Sequence, residues 1–482
     1  MLNTSLLEIL RTFDKAELKR FEDFVQSPYF NKKTIIIKLF KNLKKYAPDF
    51  KKDNLKREIV WKSLYPEKEF NYGVMKNLIY DLTQLVERFL AEETISNNKF
   101  ELGKNLLYNL VTKDLGKILL SKYNLLEDKL NNSEEGPEKY ERLIDLKWMY
   151  YSSLDNMDSN DVKNIYEIAD LTIISFLINI FKIYNNISAQ KFTSRSIKDN
   201  DLLEYILEIT DLNAILEFIK KYSDSDKDYK ILKMYYDMYK AIKNTDNSDF
   251  YYEFKNNVIK NSGMLDVDEK RNLFACLWTS LSYNKVIKNK PLEFNDLNKL
   301  SHKINILEDS DGTISMRNYS LGIRFAALAK DVDFLIEFMN YYRNLLRPSV
   351  IENMTLYSNA YLNFANKKFD TALELASKIN FDLTTFKYEL KNLLIMIYYE
   401  LDDADSVIYS SDSYRHFAAN NKYVSEESRI LIIKFINYVN TLCKLRISPD
   451  NIKLGMLKES VLNDSLNTKY WLLEKIEELE KL

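Results

Sequence analysis

Glycine and proline are nearly absent from this chain. It holds Gly 8 and Pro 7 among 482 residues, where average usage would give the two together roughly 12% of positions. Tight turns between strands consume both residues for their special backbone angles. Long helices exclude both, because glycine costs entropy and proline lacks the N–H that the helix bonds. The expectation is an all-α fold, its helices joined by short polar loops. Hydrophobic residues at 46% supply ample surface for burial, which argues against a disordered chain. One compact core does not grow to this length, whereas a repeat array lengthens by adding units.

Three regions differ in their patterning. Residues 1–93 read as a helical N-terminal domain. Leu6, Ile9, Leu10 and Phe13 form an apolar stripe at helical spacing. Asp14 and Glu17 then stand as a capping box, with Phe13 and Leu18 placed as a hydrophobic staple. A helix with Leu18, Phe21, Phe24 and Val25 ends at Ser27-Pro28, and another over 33–46 turns Ile36, Leu39, Phe40 and Leu43 inward. Trp61 and Leu64 follow. Asn71 caps a long helix carrying Met75, Leu78, Leu82, Leu85, Val86 and Phe89 on one side. Residues 94–230 hold helices of less regular phase, with loops at 131–138 and 190–200.

From 231 to 482 the pattern recurs. First helices of a pair start near Ile231, Arg271, Met316, Asn353 and Lys387. Second helices start near Asp249, Asn295, Val332, Phe369 and Asp403. By subtraction, successive first helices lie 34 to 45 residues apart. Capping boxes recur at Asp266…Glu269 and Ser349…Glu352. Alternating helices at this period are the signature of stacked helical hairpins, an α-solenoid.

Within 353–380, Ala360, Phe369 and Ala372 hold the small, aromatic and small positions of a tetratricopeptide (TPR) repeat, and this stretch resembles one. Residues 387–420 keep the length but carry Ile395 and Val407 where that motif has small residues. The chain also resembles a group of uncharacterised TPR-like bacterial proteins, a likeness that implies a fold and no function. The TPR resemblance implies a groove lined by Ser320, Arg324, Tyr357, Tyr361, Asn392, Met396 and Tyr399, holding another protein or a peptide. Two further resemblances compete over 1–93. Leu6 to Phe21 resembles the first helices of pyrin-type death-fold adaptors. Trp61-Lys62-Ser63-Leu64-Tyr65-Pro66 and the helix after it resemble the winged-helix region of bacterial activators that also carry TPRs. In that second case 72–92 would be the recognition helix. Its Lys76 and Arg88 stand against Asp81, Glu87 and Glu92, a balance that argues against direct DNA reading.

Enzyme-like strings are few. Asp309-Ser310-Asp311-Gly312-Thr313 resembles the nucleophile loop of haloacid-dehalogenase-type phosphatases, but no later Gly-Asp motif accompanies it. The expectation there is a polar turn. Ser188 and Lys191 have Ser-x-x-Lys spacing without the partner motifs of that chemistry. His302 and His416 are expected to face solvent, and Cys276 and Cys443 to sit as buried thiols. No glycine-rich phosphate loop exists. The chain therefore reads as a non-catalytic scaffold or adaptor, with no cofactor and no metal.

Charge is uneven. Residues 1–60 hold 14 Lys+Arg and 8 Asp+Glu, a balance of +6 in a chain of net charge −2. Lys38, Lys41, Lys44, Lys45, Lys51 and Lys52 dominate a basic patch across 27–57 that meets only Asp49 and Asp53. Lys38, Lys41 and Lys45 share a helix face, where like charges repel. Nucleic-acid phosphate or an acidic protein would relieve them, so a nucleic-acid-associated regulator is the alternative function. Met1-Leu2-Asn3-Thr4-Ser5 has no basic stretch before an apolar core, so a secretory leader is not expected, and the apolar run from Leu171 to Phe181 is expected to be too short to span a bilayer. A cytoplasmic protein without a membrane partner is the expectation.

Overall fold

A computed structural model describes the chain except residues 1–3, 51–54, 154–158, 194–201, 223–225, 288–289, 310, 381–383, 422–423, 425, 465, 467 and 482. The described residues form 24 α-helices and no strand. The fold is all-α. The chain divides into two compact units, Met1–Asn132 with Asp145–Asn164, and Ser133–Ile144 with Ile165–Leu482.

In the first unit, α1 (Ser5–Leu10), α2 (Lys15–Gln26), α3 (Thr34–Lys44), α4 (Arg57–Leu64) and α5 (Tyr72–Asn97) enclose one core. The capping box forms as expected: Asp14 Oδ1 accepts the Glu17 N–H at 2.7 Å and Glu17 Oε2 accepts the Asp14 N–H at 2.8 Å. Phe21 is the centre of an aromatic cluster. Its ring meets Phe40 at 4.8 Å and Phe89 at 5.2 Å, geometries that add to simple burial. Asn71 caps α5 through the Val74 N–H. Two further helices, α6 (Lys99–Thr112) and α7 (Gly116–Asn131), pack on each other.

The helix α8 (Pro137–Tyr151) crosses the division between the units. The expected loop before it is present, and in it Glu135 bridges Leu265. Then comes α9 (Ser159–Thr193), 35 residues long. This corrects the expectation about Leu171–Phe181. Among the described residues Lys163–Gln190 is one helix, by length and composition able to cross a membrane. Its Ile174, Leu177, Ile178 and Phe181 lie in the core of the second unit instead, beside α10 (Leu202–Ile209) and α11 (Leu212–Tyr222).

The remainder is a succession of helix pairs. These are α12 (Asp226–Lys243) with α13 (Ser248–Asn261), α14 (Val267–Tyr283) with α15 (Lys290–Lys303), and α16 (Met316–Leu328) with α17 (Val332–Tyr342). Then follow α18 (Ile351–Ala365) with α19 (Phe369–Ser377), and α20 (Thr384–Glu400) with α21 (Ala404–Asn420). Three helices end the chain: α22 (Glu426–Ile447), α23 (Asn451–Asn463) and α24 (Lys469–Leu479). Each pair is in contact, and α12 also packs on α14 and α16 on α18. Met316, Val332 and Phe369 are the first residues of their helices, as the sequence suggested. Helix α15 starts five residues before Asn295, because Pro291 in its first turn needs no N–H acceptor.

The turns inside three pairs are alike. Lys330, Lys367 and Asp402 take φ of 59°, 58° and 59°. In each, the next N–H reaches back to the carbonyl five residues earlier: Asp331 to Ala326, Lys368 to Asn363, Asp403 to Tyr398. This is the Schellman ending of a helix, normally a glycine position. Close packing recurs too. Ala360, Ala372 and Ala376 are buried between α18 and α19. A Cβ on Gly322 would lie 2.2 Å from Cζ of Phe338, so α16 approaches α17 as closely as glycine allows.

Candidate functional site

Three helices of the second unit bring a polar network to one place. Arg324 comes from α16, Tyr357 and Tyr361 from successive turns of α18, and Glu389, Asn392 and Met396 from one face of α20. Arg324 Nη1 donates to Glu389 Oε1 at 3.0 Å and the Tyr357 hydroxyl donates to Oε2 at 2.9 Å. The Arg324 side chain is 11% exposed and that of Glu389 23%. Burial works against the Arg324 charge, yet the Glu389 carboxylate together with the Tyr357 and Tyr361 phenols outweighs it and holds the guanidinium pKa above its ordinary value. Burial, then the Glu389 charge, raises both Tyr357 and Tyr361, so both phenols stay protonated. Their rings meet at 4.8 Å.

A small cleft of about 20 Å³ opens on this network, enough for a water or two. Leu328, Tyr361 and Met396 form its apolar walls, and Arg324, Glu389, Asn392 and Thr468 its polar ones. Arg324 Nε is buried there without an acceptor. An unpaired buried donor costs about 1–3 kcal/mol, and a bound acceptor would recover it.

Four of the seven expected groove residues, Arg324, Tyr361, Asn392 and Met396, thus line one cleft. Ser320, Tyr357 and Tyr399 do not reach it; all three are buried. Ser320 donates to the Arg317 carbonyl at 3.0 Å. Tyr399 lies edge-on to Trp471 with Arg446 stacked 4.0 Å from its ring centre. The helix face that fills the core is wider than the spacing implied. Glu389, the group that organises the site, was missed; its partners stand 65 and 32 residues away.

The basic patch is partly neutralised. Lys44 pairs with Glu22 and Lys33 with Asp81, each at 2.6 Å. Burial of Ile36, Leu39, Phe40 and Leu43 turns Lys38, Lys41 and Lys45 outward. Among the described residues these three have no carboxylate partner. Lys51 and Lys52 lie outside the described residues.

The other candidates resolve individually. Asp309 and Asp311 to Thr313 lie inside the Glu308–Ile314 bridge, with Asp311 Oδ1 accepting from the N–H and hydroxyl of Thr313; Ser310 lies outside the described residues. Ser188 is buried, and the Lys191 side chain lies outside the described residues. His302 corrects the expectation of a solvent-facing ring. It is mostly buried, its Nδ1 3.0 Å from the Tyr342 hydroxyl, because α17 covers that side of α15. His416 is exposed. Cys276 is buried and its thiol pushed up to about 12 by that burial. Cys443 is only partly buried, a correction to the expected core thiol. A second polar network, also missed, joins α12 to α13: buried Asp237 accepts from Lys233 at 2.5 Å and from Asn257 at 2.8 Å.

No protein-family model, curated protein or solved structure matches the chain.

Proposed function

We propose that this protein is a non-catalytic interaction scaffold, with α12 to α21 serving as TPR-like hairpins and the α16–α18–α20 cleft as the place where a peptide of a partner protein docks. The orphan Arg324 Nε carries this reading. Its charge is already cancelled by Glu389, so the cleft favours a neutral acceptor over an anion. The cleft has room for about one acceptor atom, and the carbonyl oxygen of a peptide laid across its mouth would supply it, while the Asn392 amide can both donate and accept. Free Cys276 and Cys443 suit a reducing compartment such as the cytoplasm.

The test is selection from a displayed random-peptide library on the full chain, repeated with Asn392→Trp, which fills the cleft. The scaffold reading expects a consensus peptide whose binding falls at least tenfold on the variant. Peptides that bind both proteins equally would overturn it.

A second reading is favoured by the unpaired Lys38, Lys41 and Lys45: a regulator that holds nucleic-acid phosphate on α3. Three phosphate contacts would give affinity a log–log salt slope of about −3. The triple Glu variant would abolish that binding. A flat salt response or no binding eliminates this reading.

A further inference from the structure

The helix α9 has an apolar face that the second unit leaves open. Tyr166, Ala169, Ile173, Phe176, Ile180, Ile183 and Ile187 follow one another at intervals of three and four, the a/d spacing of a coiled-coil seam. Ile180 is buried and Ile187 half-buried, but Tyr166 is 70%, Ile173 50%, Phe176 51% and Ile183 50% exposed, and Ala169 is exposed too. The opposite face, with Ile174, Leu177, Ile178 and Phe181, is fixed in the core, so the stripe cannot turn inward.

We infer that this face pairs with the same face of a second copy of the chain, α9 against α9, antiparallel. A seam at this spacing takes a helix of the same pitch with few charges, and α9 meets that description itself. In an antiparallel pair centred on Ile178, Ile173 meets Ile183 of the other copy, small Ala169 meets larger Ile187, Phe176 lies over Ile180, and Asn179 sits one residue from the two-fold axis, within reach of its own symmetry mate. Parallel pairing would set Ala169 on Ala169 and Phe176 on Phe176, a gap and a crowd in neighbouring layers. The flanks carry Thr172, Asn179 and Asn186, with Asp170 the nearest exposed charge. Such a rim suits a protein surface, while an anionic residue and no flanking lysine row disfavours a lipid one. The four large exposed side chains offer roughly 450 Å² per copy at about 200 Å² for a full side chain. That is about half of a standard partner area, the size of a weak, transient pair.

Light scattering on the full chain near 100 μM tests this, with Ile173→Glu/Ile183→Glu as the comparison and circular dichroism to check its helicity. The expected result is twice the chain mass for the wild type and the single mass for the variant at unchanged helicity. Should that variant misfold, Asn179→Cys in a Cys443→Ser background gives the second readout: oxidation yields a two-chain band in the antiparallel pair, whereas Ile173→Cys does not. A wild type of single mass, a folded variant that remains dimeric, or a single-mass wild type that sediments with phosphatidylglycerol vesicles overturns the proposal.

Discussion

Glu389 is satisfied by groups on two other helices, and its removal is the sharpest test of the network. Glu389→Gln would leave the Arg324 guanidinium buried beside a neutral amide. Breaking a buried pair from one side costs about 3–5 kcal/mol, and the partial exposure of this one brings the expectation to about 2–3 kcal/mol, read as a lower urea midpoint. A midpoint within error of the wild type would remove the network from the account. Gly322→Ala should also destabilise, by about 1–3 kcal/mol of overpacking, because the new methyl would meet the rigid Phe338 ring. The residue scale is where the sequence was least legible. The burial of Phe13, Leu18 and Phe21 follows from their spacing, since near neighbours set it. The pairing of Arg324 with Glu389 depends on how three helices meet, which no local pattern records.

Helix positions were legible because capping and amphipathic spacing are local. Asp14 and Asn71 announce α2 and α5, and Val332 and Phe369 begin their helices where the apolar period restarts. The turns were not legible. Lys330, Lys367 and Asp402 occupy left-handed positions that glycine would have advertised. Replacing Lys367 by glycine should therefore stabilise the protein, by about 0.5–1 kcal/mol once the extra freedom of the unfolded chain is offset. The neighbouring caps differ: Asp331 and Asp403 cap α17 and α21, but Lys368 gives α19 no cap. Lys368→Asp should supply one and add about 1 kcal/mol; an unchanged melting temperature would count against the equivalence of the three turns. Asp331 also links stability to pH. Burial raises its pKa, but Lys299, the Phe334 N–H and Asn295 outweigh that and hold it below 3.8. A depressed carboxylate stabilises the fold above its unfolded value. The contribution should be intact above about pH 4 and lost as pH falls through the lower folded value. Asp331→Asn should flatten that part of an acid-unfolding curve.

At the scale of the molecule, near-absence of glycine and proline was enough to imply an all-α chain, because backbone chemistry alone excludes the alternatives. The helical period from 231 onward appears as successive pairs in contact, yet the cleft lies where three of those helices meet, and its lining includes Thr468 from the far end of the chain. Length misled in one place: Leu171 to Phe181 read as a short run, while the helix around it extends for 35 residues with apolar side chains on two faces. We propose that the cleft selects a partner protein. The most direct measurement is paired purification of tagged wild type and Asn392→Trp from the native host, with nuclease and at high salt, read by mass spectrometry. The account predicts a discrete protein retained by the wild type and lost from the variant. Identical partners on both, or recovery of nucleic acid alone when nuclease is omitted, would contradict it.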